Sequence, residues 1–485
     1  MMASITAFHL LTQAPDQIAQ QMSLEEKVGQ LFVIPGCPER QDEHLQDLHH
    51  LFNDCHVGGV ILKQGSSESY REFFASLKTS LPLLRVGDAE WGASMRVTDA
   101  VRFPRNLTLG AIQDLSLIEK FGKQVGWECR QLGIDLNLAP VADVNINPLN
   151  PIIGTRSFGD DPERVAKLVS IVVCAMQEEG ILACAKHFPD HGDVTIDSHI
   201  DLPKTQIRSL IAFEAAIQAN AGALLTAHLV VDDKVVTFSY ALVHDLIRNQ
   251  LKFPGLIVTD ALNMKAISNY TKPGHAALDA LKAGHDLLLY GDHLSEKVNA
   301  ILRESVPQAI SRIIQAVKTG EYSESLLDEH VIRIIETKQK LLQRPPVQET
   351  IIATQEAKAL KQTLFDNAIT LIRNKHLPLK PDQEVRWTVL GGEAPILQQA
   401  IHSSYSGLHI VCVMKWDGAI KEQLRNIKPD ILIVMASPYG LIDLPKIPTV
   451  LIGYENDPMA EESVRKVLFG EMQAIGRLPV KIPIE

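Results

Sequence analysis

Residues 181–203 read ILACAKHFPDHGDVTIDSHIDLP, an apolar run that passes directly into a polar segment. The polar part, residues 186–203, holds three histidines and four aspartates around Pro189 and Gly192. Unpaired charged and imidazole groups are unfavourable in a protein interior, so groups this dense at the end of an apolar run indicate ion pairs or chemistry. We therefore predict a strand over residues 181–186, followed by a catalytic loop.

Seven other short apolar runs before residue 291 also predict strands. The eight predicted strands are residues 30–34, 57–62, 83–88, 134–140, 181–186, 222–227, 255–260 and 284–290. Between them lie amphipathic helical patterns, such as residues 114–132, 162–180, 210–221 and 241–251. Eight strand-then-helix units over roughly 300 residues favour a (β/α)8 TIM-like barrel over an open α/β sheet, which usually has five or six strands.

A proline-rich break predicts a second domain. The last helical pattern of the barrel ends near Leu342, and the segment QRPPVQET at 343–350 interrupts the periodicity. We predict a barrel over 1–343, a linker over 344–352 and a smaller α/β sandwich domain over 353–485. Its apolar runs TVLGGE, HIVCVMK, DILIVMAS and TVLIGYE predict a small parallel sheet between helices.

Composition narrows the class of protein. A net charge of −11 argues against a nucleic acid partner, because phosphate binding needs clustered Lys and Arg. The six cysteines form no CxxC pair, which predicts reduced core residues rather than a zinc site or disulfides. No window approaches the ~20 apolar residues of a membrane span, and the N-terminus lacks a basic region followed by a long apolar one. We expect a cytoplasmic protein without a membrane span.

Polar residues end several of the predicted strands. Asp88 ends the third, Lys186 and His187 the fifth, His228 the sixth and Asp260 the seventh. Active sites of TIM barrels lie where the strands end, so these side chains are expected to face one cavity. The alternative for Asp260 alone is a helix N-cap, since the helix-like ALNMKAI follows it.

Several of these segments carry a family resemblance. The motifs are KHFPDHGD at 186–193, DSH at 197–199, GLIVTDAL at 255–262, DAEWG at 88–92 and GTRSFGDDP at 154–162. Together they resemble the family 3 glycoside hydrolases, in particular the β-N-acetylglucosaminidase branch. EEKVGQLFV near the start, AITLIRNKHLPL and GRLPVKIP extend the resemblance over nearly the whole chain.

The resemblance implies catalytic roles for three residues. Asp260 would be the nucleophile that attacks the anomeric carbon, and His199 the general acid and base, oriented by Asp197. Most retaining glycosidases use a second carboxyl group for proton transfer. The dyad is physically reasonable, because residues i and i+2 of an extended segment project to the same side and a carboxylate fixes the imidazole tautomer.

The resemblance also implies the substrate and the residues that bind it. A terminal β-linked N-acetylglucosamine would be released from small carbohydrates or muropeptides in cell-wall recycling, with no cofactor or metal. Asp88 would accept hydrogen bonds from sugar hydroxyls, while Arg156, Lys186 and His187 donate; His228 joins this predicted set. The alternatives are an ion pair of Arg156 with Asp160 or Asp161, and of Lys186 with Asp260.

The chain departs from the family pattern at two places. Asp190 stands where the family usually has glycine, and Asp is among the few residues that tolerate a positive φ. DAEWGASMR replaces the usual acidic residue followed by Gly-Gly-Arg, which leaves the roles of Glu90 and Arg96 open.

Three other functions remain as alternatives. A metal-dependent barrel hydrolase would use His187, His191 and Asp193 as ligands, although Pro189 and Gly192 oppose the helix that HxxxH ligation needs. A β-glucosidase or β-xylosidase of the same family is the second, and a sugar-binding protein without turnover is the third.

Overall fold

Eight parallel strands form a barrel in the computed structural model, which describes residues 12–40, 42–79, 81–196, 201–272, 274–291, 297–345, 347, 352–380 and 382–482. The strands are β1 Phe32–Gly36, β2 Gly59–Leu62, β3 Leu84–Gly87, β4 Leu136–Asn137, β5 Leu182–Phe188, β6 Ala223–Thr226, β7 Leu256–Thr259 and β8 Leu288–Leu289. Their order is β7-β6-β5-β4-β3-β2-β1-β8. A parallel bridge from Val258 to Leu287 brings β7 next to β8, so the sheet closes on itself. The predicted barrel is confirmed.

Helices surround the barrel. Among the described residues before 345, α-helices lie at Pro15–Gln21, Leu24–Gln30, Glu43–Asn53, Ser67–Ser76, Asn106–Gly110, Leu115–Gln131, Pro162–Glu178, Ile211–Gln218, Lys265–Ser268, His275–Ala283, Val298–Ala300, Val306–Lys318 and Glu324–Leu342, with π-helical turns at Ala241–Gln250 and Ile301–Ser305. The helix from Pro162 illustrates why they form. Asp161 caps it by accepting from the N–H groups of Glu163 and Arg164, and proline occupies the first turn. Its apolar residues recur at helical spacing and are buried against the barrel.

The second sheet has five strands and follows the predicted linker. They are β9 Thr370–Arg373, β10 Val385–Leu390, β11 Leu408–Val413, β12 Ile431–Val434 and β13 Thr449–Ile452, in the order β9-β13-β12-β11-β10. The helices Gln355–Ala368, Pro395–Ala400, Gly418–Ile427 and Pro458–Leu468 accompany them. The domain boundaries themselves stay a prediction.

The four strands predicted for the second sheet form and are parallel, whereas a fifth strand, β9, was not predicted. β9 pairs antiparallel with β13 at the edge. β9 is short and mostly half-buried, with a register shift between Leu371 and Arg373, so its apolar run is too brief to stand out in the sequence.

Glu455, which follows β13 of the second sheet, forms hydrogen bonds with residues of the barrel. Its buried carboxylate accepts hydrogen bonds from the Arg105 N–H and the Thr108 hydroxyl, both at 2.7 Å, and from Arg102 at 3.0 Å. Burial raises the pKa of Glu455, against the opposing effect of these donors.

Across the described ranges, no helix is both long and apolar enough to span a membrane.

Candidate active site

A cavity of about 210 Å³ lies at the carboxyl ends of the barrel strands. Its polar lining residues are Lys63, Asp88, Arg96, Arg156, Lys186, His187, His191 and Asp260. Apolar side chains such as Leu138 and Leu225 form the rest of the wall. The structure therefore brings four of the five predicted sugar-binding residues and the predicted nucleophile to one place.

Asp260 comes immediately after β7. Its N–H donates to the Thr226 carbonyl of β6 at 3.1 Å, and its Oδ1 accepts from the Ala261 N–H at 2.8 Å. These contacts fix the carboxylate at the top of the strand. The helix N-cap alternative is wrong, because the next helix begins at Lys265 with Met264 as its N-cap.

Two carboxylates and three cations form a network on the cavity wall. Lys186 Nζ contacts Asp88 at 2.8 Å and Glu90 at 2.9 Å. Arg156 donates twice to Glu90, at 2.6 and 2.9 Å, and Arg96 donates to Asp88 at 2.6 Å. Both alternative pairings are wrong, since Arg156 pairs with neither Asp160 nor Asp161 and Lys186 does not pair with Asp260. Glu90 and Arg96, whose roles the sequence left open, are members of this network.

The network keeps both carboxyl groups ionised. Burial opposes the charge on Glu90, but Arg156 and Lys186 outweigh it and lower the pKa of Glu90 to about 2. Burial likewise opposes the charge on Asp88, while Lys186 and Arg96 hold the pKa of that group well below its usual range. Neither group can supply a proton near neutral pH.

Asp143, which the sequence reasoning missed, holds His187. Its Oδ2 lies 2.7 Å from His187 Nδ1, and its Oδ1 accepts from the backbone N–H groups of His187 and His191. A carboxylate at Nδ1 places the proton there, so the neutral ring presents Nε2 as an acceptor, and only the imidazolium donates from it. Asp143 follows the fourth strand in APVADVN, so the strand-end rule could have found it.

His191 packs edge-on against His187, with ring centroids 5.9 Å apart. Both of its ring nitrogens are buried, and neither has a hydrogen-bond partner among the residues that the structure describes. Burial lowers the pKa of His191 to about 4, so the ring is neutral at pH 7. A hydroxyl group of a molecule in the cavity would satisfy either nitrogen.

Asp190 fits its place without a left-handed backbone. Its φ of 158° is close to extended, and its Oδ1 accepts from the N–H groups of Val144 and Gly192 at 3.2 and 2.8 Å. Burial and the neighbouring Asp143 charge raise the pKa of Asp190 well above its usual value. The substituted position is therefore a hydrogen-bonded part of the loop.

His228 is buried and is not among the residues that line the cavity. It is 1% exposed, and its ring nitrogens lie 2.8 Å from the Thr237 hydroxyl and 3.0 Å from the Ala261 carbonyl. The geometry favours a role in holding the turn after Asp260 over the predicted sugar contact.

The metal-site alternative gains no support from the geometry. His187 and His191 stand on a strand end and a turn rather than on a helix, and Asp193 pairs with Arg208 at 2.7 Å. Within the described ranges, no group of three His, Cys, Asp or Glu side chains is arranged to hold a metal. Asp197 and His199 lie outside the described residues.

Glu90→Gln is expected to lower the free energy of unfolding by about 3–5 kcal/mol, because it leaves Lys186 and Arg156 buried with too little negative charge. The matched control is Glu68→Gln, which removes an exposed partner of Arg71 and should change it by less than about 1 kcal/mol. Urea unfolding followed by tryptophan fluorescence measures both. Equal effects of the two substitutions would contradict the structural importance of the network.

Comparison with known proteins agrees with this geometry. Residues 23–337 match the family described as Glycosyl hydrolase family 3 N terminal domain. The chain is 30% identical to Beta-hexosaminidase A of Pseudoalteromonas piscicida over 81% of this chain and 73% of the relative. It is 25% identical to the Beta-N-acetylglucosaminidase/beta-glucosidase of Cellulomonas fimi over 95% of this chain and 94% of the relative.

A solved structure extends the likeness to the whole molecule. The family 3 β-N-acetylglucosaminidase from Paenibacillus sp. str. FPU-7 superposes with a TM-score of 0.82 at 28% identity, over 96% of this chain and 100% of that one. The family match covers most of the barrel, and the superposition includes the second sheet as well. The chain belongs to glycosyl hydrolase family 3 and is a glycoside hydrolase.

Proposed function

We propose that the protein is a retaining exo-glycosidase that releases terminal non-reducing β-linked N-acetylglucosamine. The observation that carries the proposal is the meeting of Asp260 with the Asp88, Lys186, Arg156 and His187 side chains in one cavity at the strand ends. Its volume of about 210 Å³ is below the ~300–1,000 Å³ of drug-sized ligand sites, which suits a single sugar ring.

Asp260 is the proposed nucleophile. Its carboxylate attacks the anomeric carbon and forms a glycosyl ester as the bond to the leaving oxygen breaks. Water then attacks the same carbon and releases the carboxylate, so two inversions retain the configuration.

His199 is the proposed acid and base, with Asp197 orienting its ring. A proton must reach the leaving oxygen in the first step, and the cavity carboxyl groups of Asp88 and Glu90 stay ionised. Burial lowers the pKa of His191 to about 4, so at pH 7 almost none of this residue carries the extra proton that a general acid must donate. A histidine side chain suits this transfer better, because an imidazole ordinarily gains and loses a proton near neutral pH.

The polar network is the proposed sugar-recognition surface. Asp88 accepts hydrogen bonds from sugar hydroxyl groups, Lys186 and Arg156 donate to them, and His187 presents its Nε2 to the sugar. Charge-assisted hydrogen bonds of this kind are stronger than neutral ones, and the ion pairs hold each group in position before the sugar arrives.

The proposed natural substrates are peptidoglycan fragments processed in the cytoplasm. The names of the Pseudoalteromonas and Paenibacillus proteins support a hexosaminidase. The Cellulomonas relative is also named a β-glucosidase, which favours β-glucosides as the second candidate substrate class.

The test compares kcat/KM on the 4-nitrophenyl β-glycosides of N-acetylglucosamine, glucose and xylose. We expect at least a ~10-fold preference for N-acetylglucosamine, the scale of discrimination that a few pocket contacts supply. EDTA should leave the rate unchanged. A faster glucoside reaction would contradict the substrate assignment, and loss of activity in EDTA with recovery in zinc would favour the metal-dependent alternative.

A further inference from the structure

Two asparagines attach the loop after β4 to the loop that follows β5. We call residues 138–161 the β4 loop, and the described residues 189–196 the base of the catalytic loop that the sequence predicts. Asn147 Nδ2 donates to the Asp193 and Val194 carbonyls, each at 3.2 Å. Asn150 Nδ2 donates to the His191 carbonyl at 2.7 Å. The β4 loop thus holds the base of the catalytic loop by its backbone.

Asn145 organises the β4 loop itself. Its Oδ1 accepts from the Gly154 N–H at 3.1 Å, at the start of the turn that carries Arg156. Its Nδ2 donates to the Asn147 carbonyl at 3.2 Å. One side chain therefore connects the part of the loop that reaches the sugar-binding network with the part that reaches the catalytic loop.

Tyr439, which follows β12 in the second sheet, contacts Asn145 of the β4 loop. Its hydroxyl accepts from Asn145 Nδ2 at 2.7 Å and donates to the Asn145 carbonyl at 3.1 Å. Both bonds join residues 294 positions apart in sequence. Burial raises the pKa of Tyr439 to about 12, so its hydroxyl keeps the proton it donates.

The second sheet's loops hold Tyr439 rigidly. It lies in the short 3₁₀ turn Pro438–Leu441, and the Trp416 indole N–H donates to the Ser437 carbonyl at 2.7 Å. The Trp416 ring also packs against Gly440, where a Cβ atom would come within 2.0 Å of it. A turn clamped by an indole in this way presents the hydroxyl in one position.

We propose that Tyr439 is a positioning residue, through which the second domain holds the β4 loop and, by way of Asn145 and Asn147, the base of the catalytic loop, from which the chain continues to His199. The inference rests on the proposed function, because it assigns the effect of Tyr439 to proton transfer by His199. It gives the second domain a role in catalysis without a residue that touches the substrate.

The test is Tyr439→Phe, which keeps the ring and removes both hydrogen bonds. We expect kcat/KM on phenyl β-N-acetylglucosaminide, a poor leaving group, to fall about 10-fold, the effect of one or two lost hydrogen bonds. On the 2,4-dinitrophenyl glycoside, which departs without a proton, the loss should stay below about 3-fold. Tyr405→Phe is the matched control, since Tyr405 lies in the same domain and is fully exposed. It should change neither rate.

If Tyr439 only stabilised the fold, its loss would reduce the folded fraction of the enzyme. The apparent kcat/KM would then fall by the same factor on both substrates. Asn147→Ala alone should show the same dependence on leaving group, and the double variant should lose less than the product of the two single losses, as residues acting through one connection do. Equal losses on both substrates, or fully multiplicative losses, would overturn the inference while wild-type turnover keeps the proposed function intact. A wild type inert on both substrates would overturn the proposed function and this inference with it.

Discussion

Asp260→Ala is expected to lower kcat on 4-nitrophenyl β-N-acetylglucosaminide by at least about 10⁴-fold, as loss of a covalent nucleophile does in other enzymes. Alanine cannot form the glycosyl ester, and no described cavity carboxyl group is free to replace it, because Asp88 and Glu90 are held by cations. Steady-state kinetics measures the loss.

The matched control for this prediction is Asp245→Ala, at a half-buried aspartate outside the cavity, which should keep wild-type turnover. Circular dichroism checks that both variants fold. Adding azide offers a further readout: the small anion can enter the space left at Asp260 and form an α-glycosyl azide, which retention in the wild type does not produce. Wild-type turnover by Asp260→Ala would contradict the mechanism.

His199→Ala should lower kcat/KM on phenyl β-N-acetylglucosaminide by about 10²–10⁴-fold, the usual contribution of general acid catalysis. On the 2,4-dinitrophenyl glycoside the loss should stay below about 10-fold, because that leaving group needs little protonation. A leaving-group series with the wild type and the variant measures the difference. kcat/KM is the appropriate constant, since it reports the first step, in which the leaving group departs.

The control for His199 is His50→Ala, at an exposed histidine of the helix Glu43–Asn53. It should leave the whole series unchanged. Equal losses of His199→Ala on all leaving groups would show that the residue binds substrate or supports the loop and does not supply the proton.

The barrel could be predicted because its signal is local and repeated. Each strand is a short apolar run next to an amphipathic helical pattern, and eight such units permit few architectures. The antiparallel edge strand β9 escaped prediction because its direction depends on where the chain returns to the sheet. Its four residues, of which three are half-buried, carry no record of that direction in their own sequence.

The candidate site was also predictable only where its signal is local in the sequence. The strand-end rule placed Asp88, Lys186 and Asp260 in one cavity, because it depends only on fold and position. Ion pairing could not be read in the same way. Arg156 has aspartates four and five positions away, yet it pairs with Glu90, which is 66 positions away, since only the folded barrel brings their strands' loops together.

Contacts between the domains were beyond the sequence altogether. Tyr439 stands in an ordinary turn sequence, SPYG, and nothing in it indicates a partner in the barrel. Its role depends on the clamped turn and on the position of Asn145, both of which are three-dimensional facts.

The central claim is that Asp260 forms the covalent bond to the sugar. Its most direct test is to inactivate the wild-type enzyme with 5-fluoro-β-N-acetylglucosaminyl fluoride, digest it and locate the added mass by tandem mass spectrometry. We expect one labelled peptide, with the sugar on Asp260. A sugar attached to any other side chain, Asp88 and Asp197 included, would contradict it.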